Sequence, residues 1–273
     1  MPFVRAADLT VHYDLSGPAG APVVLFANSL GTNFHVWDPQ AAHLAGRYRA
    51  LRYDMRGHGL TDLTPVGDGY LIGQLAADAL ALLDALGIGR VHVCGLSIGG
   101  MVAQLLGSVA AERVASLVLC DTASRIGPPQ IWDDRVAAIR HDGLASLRDG
   151  VMARWFTEAT RAQRPNLVRG AANMLTRTPA EGYVGCSLAI RDADLREDAA
   201  RIRCPTLVLV GDQDLATPPA AARELAASIP GARLAVIEGA GHIPTLEQPD
   251  AVNAHLAAFL AEVTAQEGTG HGG

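Results

Sequence analysis

Val91-His92-Val93-Cys94-Gly95-Leu96-Ser97-Ile98-Gly99-Gly100-Met101-Val102 decides the reading of this chain. Its first four residues are a short apolar strand, and Gly95 to Gly99 is a glycine-flanked turn. From Ile98 a helical pattern runs to about Ala110. Strand, tight turn and helix, with a serine at the apex, are the parts of a nucleophile elbow. Small residues must flank that serine because the backbones on either side crowd together. The helix start behind it places a positive partial charge beside an oxyanion developing on a substrate. A serine that merely caps an ordinary strand-to-helix turn is the structural alternative.

Working outward, short apolar runs alternate with helical spacing. Thr10–Leu15 has strand character. Val23-Val24-Leu25-Phe26-Ala27 is apolar without a break, as expected of a strand covered on both faces. Arg49–Tyr53 leads into the glycine-rich turn Asp54-Met55-Arg56-Gly57-His58-Gly59. Leu75, Ala79, Leu82, Leu83 and Leu86 recur at helical spacing, with Gly87 as a stop. Leu117-Val118-Leu119-Cys120 is a further buried strand. From Ala123 to Arg201 no run resembles a buried strand, and the segment reads as helical and rich in arginine. Alternation resumes at Thr206–Val210 and Leu234–Ile237, and a helix from about Pro249 to Val263 closes the chain.

Strands separated by helices imply an α/β protein with a mostly parallel central sheet flanked by helices. The expected organisation is a core of residues 1–122 and 202–265, a helical cap inserted at 123–201 and a disordered tail at 266–273.

A serine hydroxyl is a weak nucleophile at neutral pH, so it needs a base, and the base needs an orienting acid. In this architecture the chain order is serine, acid, histidine. Gly211-Asp212-Gln213-Asp214 follows the strand ending at Val210, and Gly239-Ala240-Gly241-His242 follows the strand ending near Ile237. Both loops fall at the sheet edge that carries Ser97. Asp214 is favoured over Asp212 because it lies further into its loop, leaving reach toward His242. His58 reads as a structural turn residue, and His92 and His255 as packing or surface residues. The oxyanion would be held by the amides of Ile98 and of Leu30, the latter in Asn28-Ser29-Leu30-Gly31-Thr32.

Composition excludes several classes. Of 273 residues 49% are apolar and 5% aromatic, so a large core of aliphatic side chains can form. The formal charge of −6 argues against nucleic acid, which needs a basic face to displace counterions. An anionic substrate would have to be attracted by an arginine inside the site. All 22 basic residues are arginine, which carries no functional weight here. Cys94, Cys120, Cys186 and Cys204 lack metal-ligand spacing, and no metal or cofactor is expected. No apolar run is long enough to span a bilayer and no secretory pattern opens the chain, so no membrane association and a cytoplasmic location are expected.

With these parts in place, the chain resembles the α/β-hydrolase superfamily over essentially its whole length. A narrower resemblance, to the 3-oxoadipate enol-lactonases, rests on Asn28–Thr32 with Val36-Trp37-Asp38-Pro39-Gln40, on Gly95–Gln104, and on Cys120-Asp121-Thr122-Ala123. In the cap it rests on Arg125-Ile126-Gly127, Trp132, Arg135, Arg154-Trp155-Phe156-Thr157 and Ala189–Arg196. Asn28-Ser29 stands where a His-Gly pair is more usual. The resemblance implies hydrolysis of 3-oxoadipate enol-lactone, an anionic small molecule, in aromatic-compound breakdown. Its free carboxylate needs a cationic partner, and Arg135, three residues beyond Trp132, is the candidate, with Trp132 beside it. Trp155 could equally belong to the cap's own core. A general carboxylesterase or lactonase with the same parts, and a hydrolase-fold ligand receptor with little turnover, are the alternative readings.

Overall fold

A computed structural model of the chain describes residues 2–269. The strands are β1 (Phe3–Ala6), β2 (Leu9–Ser16), β3 (Val23–Ala27), β4 (Arg49–Tyr53), β5 (Val91–Leu96), β6 (Val114–Cys120), β7 (Thr206–Gly211) and β8 (Arg233–Ile237). They form one eight-stranded sheet in the order β1-β2-β4-β3-β5-β6-β7-β8. Pairings of β1 with β2 and of β2 with β4 are antiparallel, and all others are parallel. Every residue of β3, β5, β6 and β7 is buried. That is the burial an unbroken apolar run calls for, since parallel crossovers put helices on both faces. Each Val, Leu, Ile or Phe so buried stabilises the fold by about 1.5–3 kcal/mol, so the central strands form a stiff platform.

The helices begin with α1 (Asp38–Leu44), α2 (Ile72–Ala85) and α3 (Ile98–Val109). Between β6 and β7 lie α4 (Pro129–Asp142), α5 (Arg148–Trp155), α6 (Glu158–Gln163), α7 (Pro165–Arg177), α8 (Ala180–Asp192) and α9 (Arg196–Arg201). The chain continues through α10 (Pro219–Ser228), α11 (Pro244–Glu247) and α12 (Pro249–Thr269). The segment between β6 and β7 is thus helical throughout, as its lack of strand-like runs predicts. The last helix runs past Val263. Residues 266–269 of the tail expected to be disordered belong to α12, and residues 270–273 lie outside the described residues. No described helix is long and apolar enough to cross a membrane.

Topology locates the site. From β3 the chain crosses to β4 on one side, then returns to β5 on the other side of β3. The loops leaving the carboxyl ends of β3 and β5 therefore diverge, and a crevice opens between them at this switch point. Leu30 is on the first loop and Ser97 is at the end of β5.

Candidate active site

Ser97 occupies the N-cap of α3 with φ 58° and ψ −117°, a backbone conformation costing about 1–3 kcal/mol in a residue other than glycine. Its side chain makes no cap hydrogen bond, which sets aside the reading of a capping serine. The turn is held by its backbone: Ser97 N–H donates to the Cys120 carbonyl at 2.9 Å, and the Thr122 hydroxyl donates to the Ser97 carbonyl at 2.7 Å. A Cβ on Gly95 would strike the Gly99 carbonyl, and one on Gly99 would strike the Ala27 carbonyl. Both glycines of the turn are therefore required by contact. Gly99 N–H also donates to the Asn28 carbonyl at 3.1 Å, which ties the elbow to the loop after β3.

Asp214 and His242 come together on the loops after β7 and β8. His242 Nδ1 lies 2.9 Å from Asp214 Oδ2, with both side chains buried. Asp214 also accepts the Ala216 N–H at 2.7 Å, the Thr217 N–H at 3.1 Å and the Thr217 hydroxyl at 2.7 Å. Burial pushes its carboxyl toward the neutral form, but the charge and hydrogen bond of His242 and the donors of Thr217 outweigh burial and hold it below the ordinary carboxylate range. An ionised Asp214 fixes the proton on His242 Nδ1 and leaves Nε2 for a substrate or nucleophile proton. Asp212, the rival acid, is exposed and accepts the Ala240 N–H at 3.1 Å, bracing the histidine loop. Ser97 and His242 line one cavity.

The amides of the two expected oxyanion donors are left unclaimed by the hydrogen bonds around them. On the loop after β3, Gly31 N–H goes to His58 Nε2 at 3.0 Å and Thr32 N–H to the Ser29 carbonyl at 3.1 Å. Gly99 and Gly100 amides go to Asn28 and Ser97 carbonyls. Among the described residues no protein acceptor takes the amide of Leu30 or of Ile98. His58 thus does more than turn the chain. It is fully buried, Nδ1 donates to the Arg56 carbonyl at 3.2 Å, and Nε2 receives Gly31. Burial favours its neutral form, the form with one donor and one acceptor. Asn28 supports the same loop by donating from Nδ2 to the Tyr53 carbonyl at 2.7 Å, a job the departure at Asn28-Ser29 did not suggest.

The helical insertion roofs the cavity, which encloses about 170 Å³. Trp132 and Arg135 of α4 line it, with Arg135 Cζ 4.6 Å from the Trp132 ring centroid. Trp155 is buried and lines it too, while its carbonyl accepts Ile243 N–H at 3.1 Å, beside His242. Arg154 and Tyr183, not singled out as site residues in the sequence, complete the polar lining; the Tyr183 hydroxyl accepts from Arg135 Nη1 at 3.4 Å. Partial burial, with the neighbouring Arg135 charge adding to it, lowers the basicity of Arg154. No Asp or Glu lines this cavity among the described residues, so the two guanidinium groups face it with no acid to neutralise them.

Glu247 is a further residue that sequence reasoning does not single out. It is buried and accepts the Thr157 N–H at 2.8 Å, the Thr157 hydroxyl at 2.7 Å and the Gly241 N–H at 2.6 Å. One carboxylate thereby joins the roof to the loop that carries His242. A glutamate in the short helix Pro244–Glu247 looks no different in sequence from one facing solvent.

Comparison with known proteins agrees with this construction. The model of the alpha/beta hydrolase fold family matches residues 22–249. The chain is 38% identical to 3-oxoadipate enol-lactonase 2 of Acinetobacter baylyi over 257 residues, covering 94% of this chain and 95% of that protein. Against the crystal structure of the enol-lactonase from Burkholderia xenovorans LB400 the TM-score is 0.92 at 40% identity, covering 95% of this chain and all of that one. A hydrolase from Pseudomonas aeruginosa superposes with a TM-score of 0.90 at 38% identity, covering 95% of this chain and 97% of that one. A serine elbow at the switch point, an Asp–His pair on the two following loops and a helical roof are thus carried by a chain that belongs to the α/β-hydrolase fold family and is similar, along nearly its whole length, to the 3-oxoadipate enol-lactonases.

Proposed function

We propose that this chain hydrolyses 3-oxoadipate enol-lactone to 3-oxoadipate through an acyl-enzyme on Ser97. The observation that carries the reading is the single cavity whose floor presents Ser97 and His242 and whose roof presents Arg135 and Arg154 without an acidic counterpart. That division suits a molecule with an ester carbonyl at one end and a carboxylate at the other. The relatives named as enol-lactonases support the same choice.

Ser97 Oγ attacks the lactone carbonyl while His242 Nε2 takes its proton, and Asp214 stabilises the imidazolium that forms. The Leu30 and Ile98 amides hold the tetrahedral oxyanion. Collapse breaks the ring C–O bond and expels an enol oxygen, a better leaving group than a simple alkoxide. His242 returns the proton to that oxygen, which keeps the tethered enol from closing the ring again. Water, activated by His242, then attacks the acyl-enzyme, its proton passing through His242 to Ser97 Oγ, and the freed enol tautomerises, gaining a proton at carbon and losing the one on oxygen, to give 3-oxoadipate. The guanidinium of Arg135, stacked on Trp132, holds the substrate carboxylate in a partly dry site where such a pair is strong.

The test is turnover of freshly generated enol-lactone by wild type and by Ser97→Ala, beside neutral p-nitrophenyl esters. Selective turnover of the enol-lactone, lost in Ser97→Ala, is expected. Faster turnover of the neutral esters would make the protein a general carboxylesterase, and binding without turnover would make it a ligand receptor.

A further inference from the structure

Asp121 follows β6 and is fully buried, with φ 45°, in the left-handed region that aspartate adopts at some cost. Its N–H donates to the Leu209 carbonyl at 2.9 Å, and its Oδ1 accepts the Gly211 N–H at 2.9 Å. The side chain is therefore pinned between the carboxyl ends of β6 and β7. Its other oxygen, Oδ2, is buried and has no hydrogen-bond donor. A carboxylate oxygen of Asp121, one of Asp214 and a ring nitrogen of His242 lie within 4.8 Å of one another.

Two carboxylates so close, both out of water, cannot both be ionised at small cost. Asp214 has the better claim to the charge, because it accepts two amides, a hydroxyl and the His242 ring. Asp121 accepts one amide and is left with an orphaned oxygen. A proton on Oδ2 converts that orphaned acceptor into a donor, with the Asp214 carboxylate within 4.8 Å of the Asp121 carboxyl group to accept it.

The geometry points to Asp121 as a positioning residue: a neutral carboxylic acid that donates its Oδ2–H to Asp214 and so holds the carboxylate behind His242. The inference rests on Asp214 being the acid of the triad, as proposed above. The groups facing Asp121 agree with it. Burial is the largest influence raising its carboxyl well above the ordinary range. The nearby Asp214 charge acts in the same direction, and the Gly211 amide opposes them. Apart from the His242 ring, no cationic group faces it among the described residues. A donor behind the carboxylate limits its freedom to turn away from His242 when the imidazolium forms.

Asp121→Asn keeps a neutral donor, and Asp121→Leu removes it. With p-nitrophenyl acetate and with fluorophosphonate labelling of Ser97, Asp121→Asn should stay within a few-fold of wild type with the same pH profile. Asp121→Leu should lose roughly 10- to 100-fold in kcat at nearly unchanged KM, with the acid limb of its profile displaced. Infrared difference spectra at neutral pH should show a carboxylic-acid C=O band in wild type that Asp121→Asn lacks. Stability should fall more steeply with rising pH in wild type than in Asp121→Asn. The reason is that the folded state retains a proton that the unfolded chain gives up above about pH 4. No difference band, or an Asp121→Asn variant as slow as Asp121→Leu, would overturn the inference. Should Asp121→Leu fail to fold, the infrared and Asp121→Asn measurements decide alone. Because neutral esters and labelling are the readouts, failure on the enol-lactone bears on the proposed substrate and leaves this test intact.

Discussion

The floor and the roof of the cavity are built by different means. Floor residues follow parallel strands, fully buried for Ser97 and Asp214, and are held by backbone contacts and hydrogen bonds, as Ser97, Asp214 and His242 show. Roof residues project from helices, and Arg154 is largely exposed at the cavity while Arg135 is half-buried. Rigid strand ends suit the chemistry, because a displacement of an ångström there costs far more in rate than a small loss of binding. Helix-borne arginines suit selection, because on the proposed function they would meet a part of the substrate that does not react. The two regions are still mechanically joined, since Glu247 and the Ile243-to-Trp155 hydrogen bond fasten the roof to the histidine loop.

The contrast makes a measurable demand: changes to the floor should slow all esters alike, and changes to the roof should discriminate by charge. Largest is Ser97→Ala, expected to lower kcat on the order of a million-fold for the enol-lactone and for p-nitrophenyl acetate alike. Next is His58→Leu, which strands the Gly31 amide and loosens the loop carrying the Leu30 donor. It should reduce kcat roughly 100-fold on both substrates with little change in KM, as measured by steady-state kinetics. A selective effect on one substrate would place His58 in recognition instead. Arg135→Met should raise KM for the enol-lactone about 10- to 100-fold and leave the neutral ester nearly untouched. Equal effects on both esters would erase the distinction between floor and roof. Smallest is Arg154→Met, a few-fold rise in KM for the anionic substrate alone, because solvent screens an exposed charge. If Arg154→Met exceeds Arg135→Met, the carboxylate sits nearer the mouth of the cavity than α4.

The site was legible in proportion to how local its causes are. Gly95 and Gly99 were readable because each faces backbone only a few residues away or on the neighbouring strand, and no side chain fits there. Asp214 and His242 are placed on the same edge as Ser97 because each follows an apolar run that continues the alternation of strands and helices. Reach along the loop favours Asp214 over Asp212, and in the fold Asp212 is occupied by the Ala240 amide. His58 was read as a turn residue, since nothing near Arg56-Gly57-His58-Gly59 shows that Gly31 lies against its ring. The end of α12 was misjudged because a glycine late in a helix is a stop signal of modest strength, and the helix runs on to Thr269.

By itself, then, the sequence determined the alternation of strands and helices, the elbow, the loops after β7 and β8 that carry Asp214 and His242, and the helical character of the insertion. Those follow from hydrophobic period and from steric limits acting over a few residues. Tertiary structure alone decided which amides were left free for an oxyanion, which glutamate bound roof to floor, that Arg154 joined Arg135, and that Asp121 lay against Asp214. Each of these is a contact between segments distant along the chain. Hydrogen bonds and charges act over a few ångströms, so their partners exist only once the strands have been laid side by side.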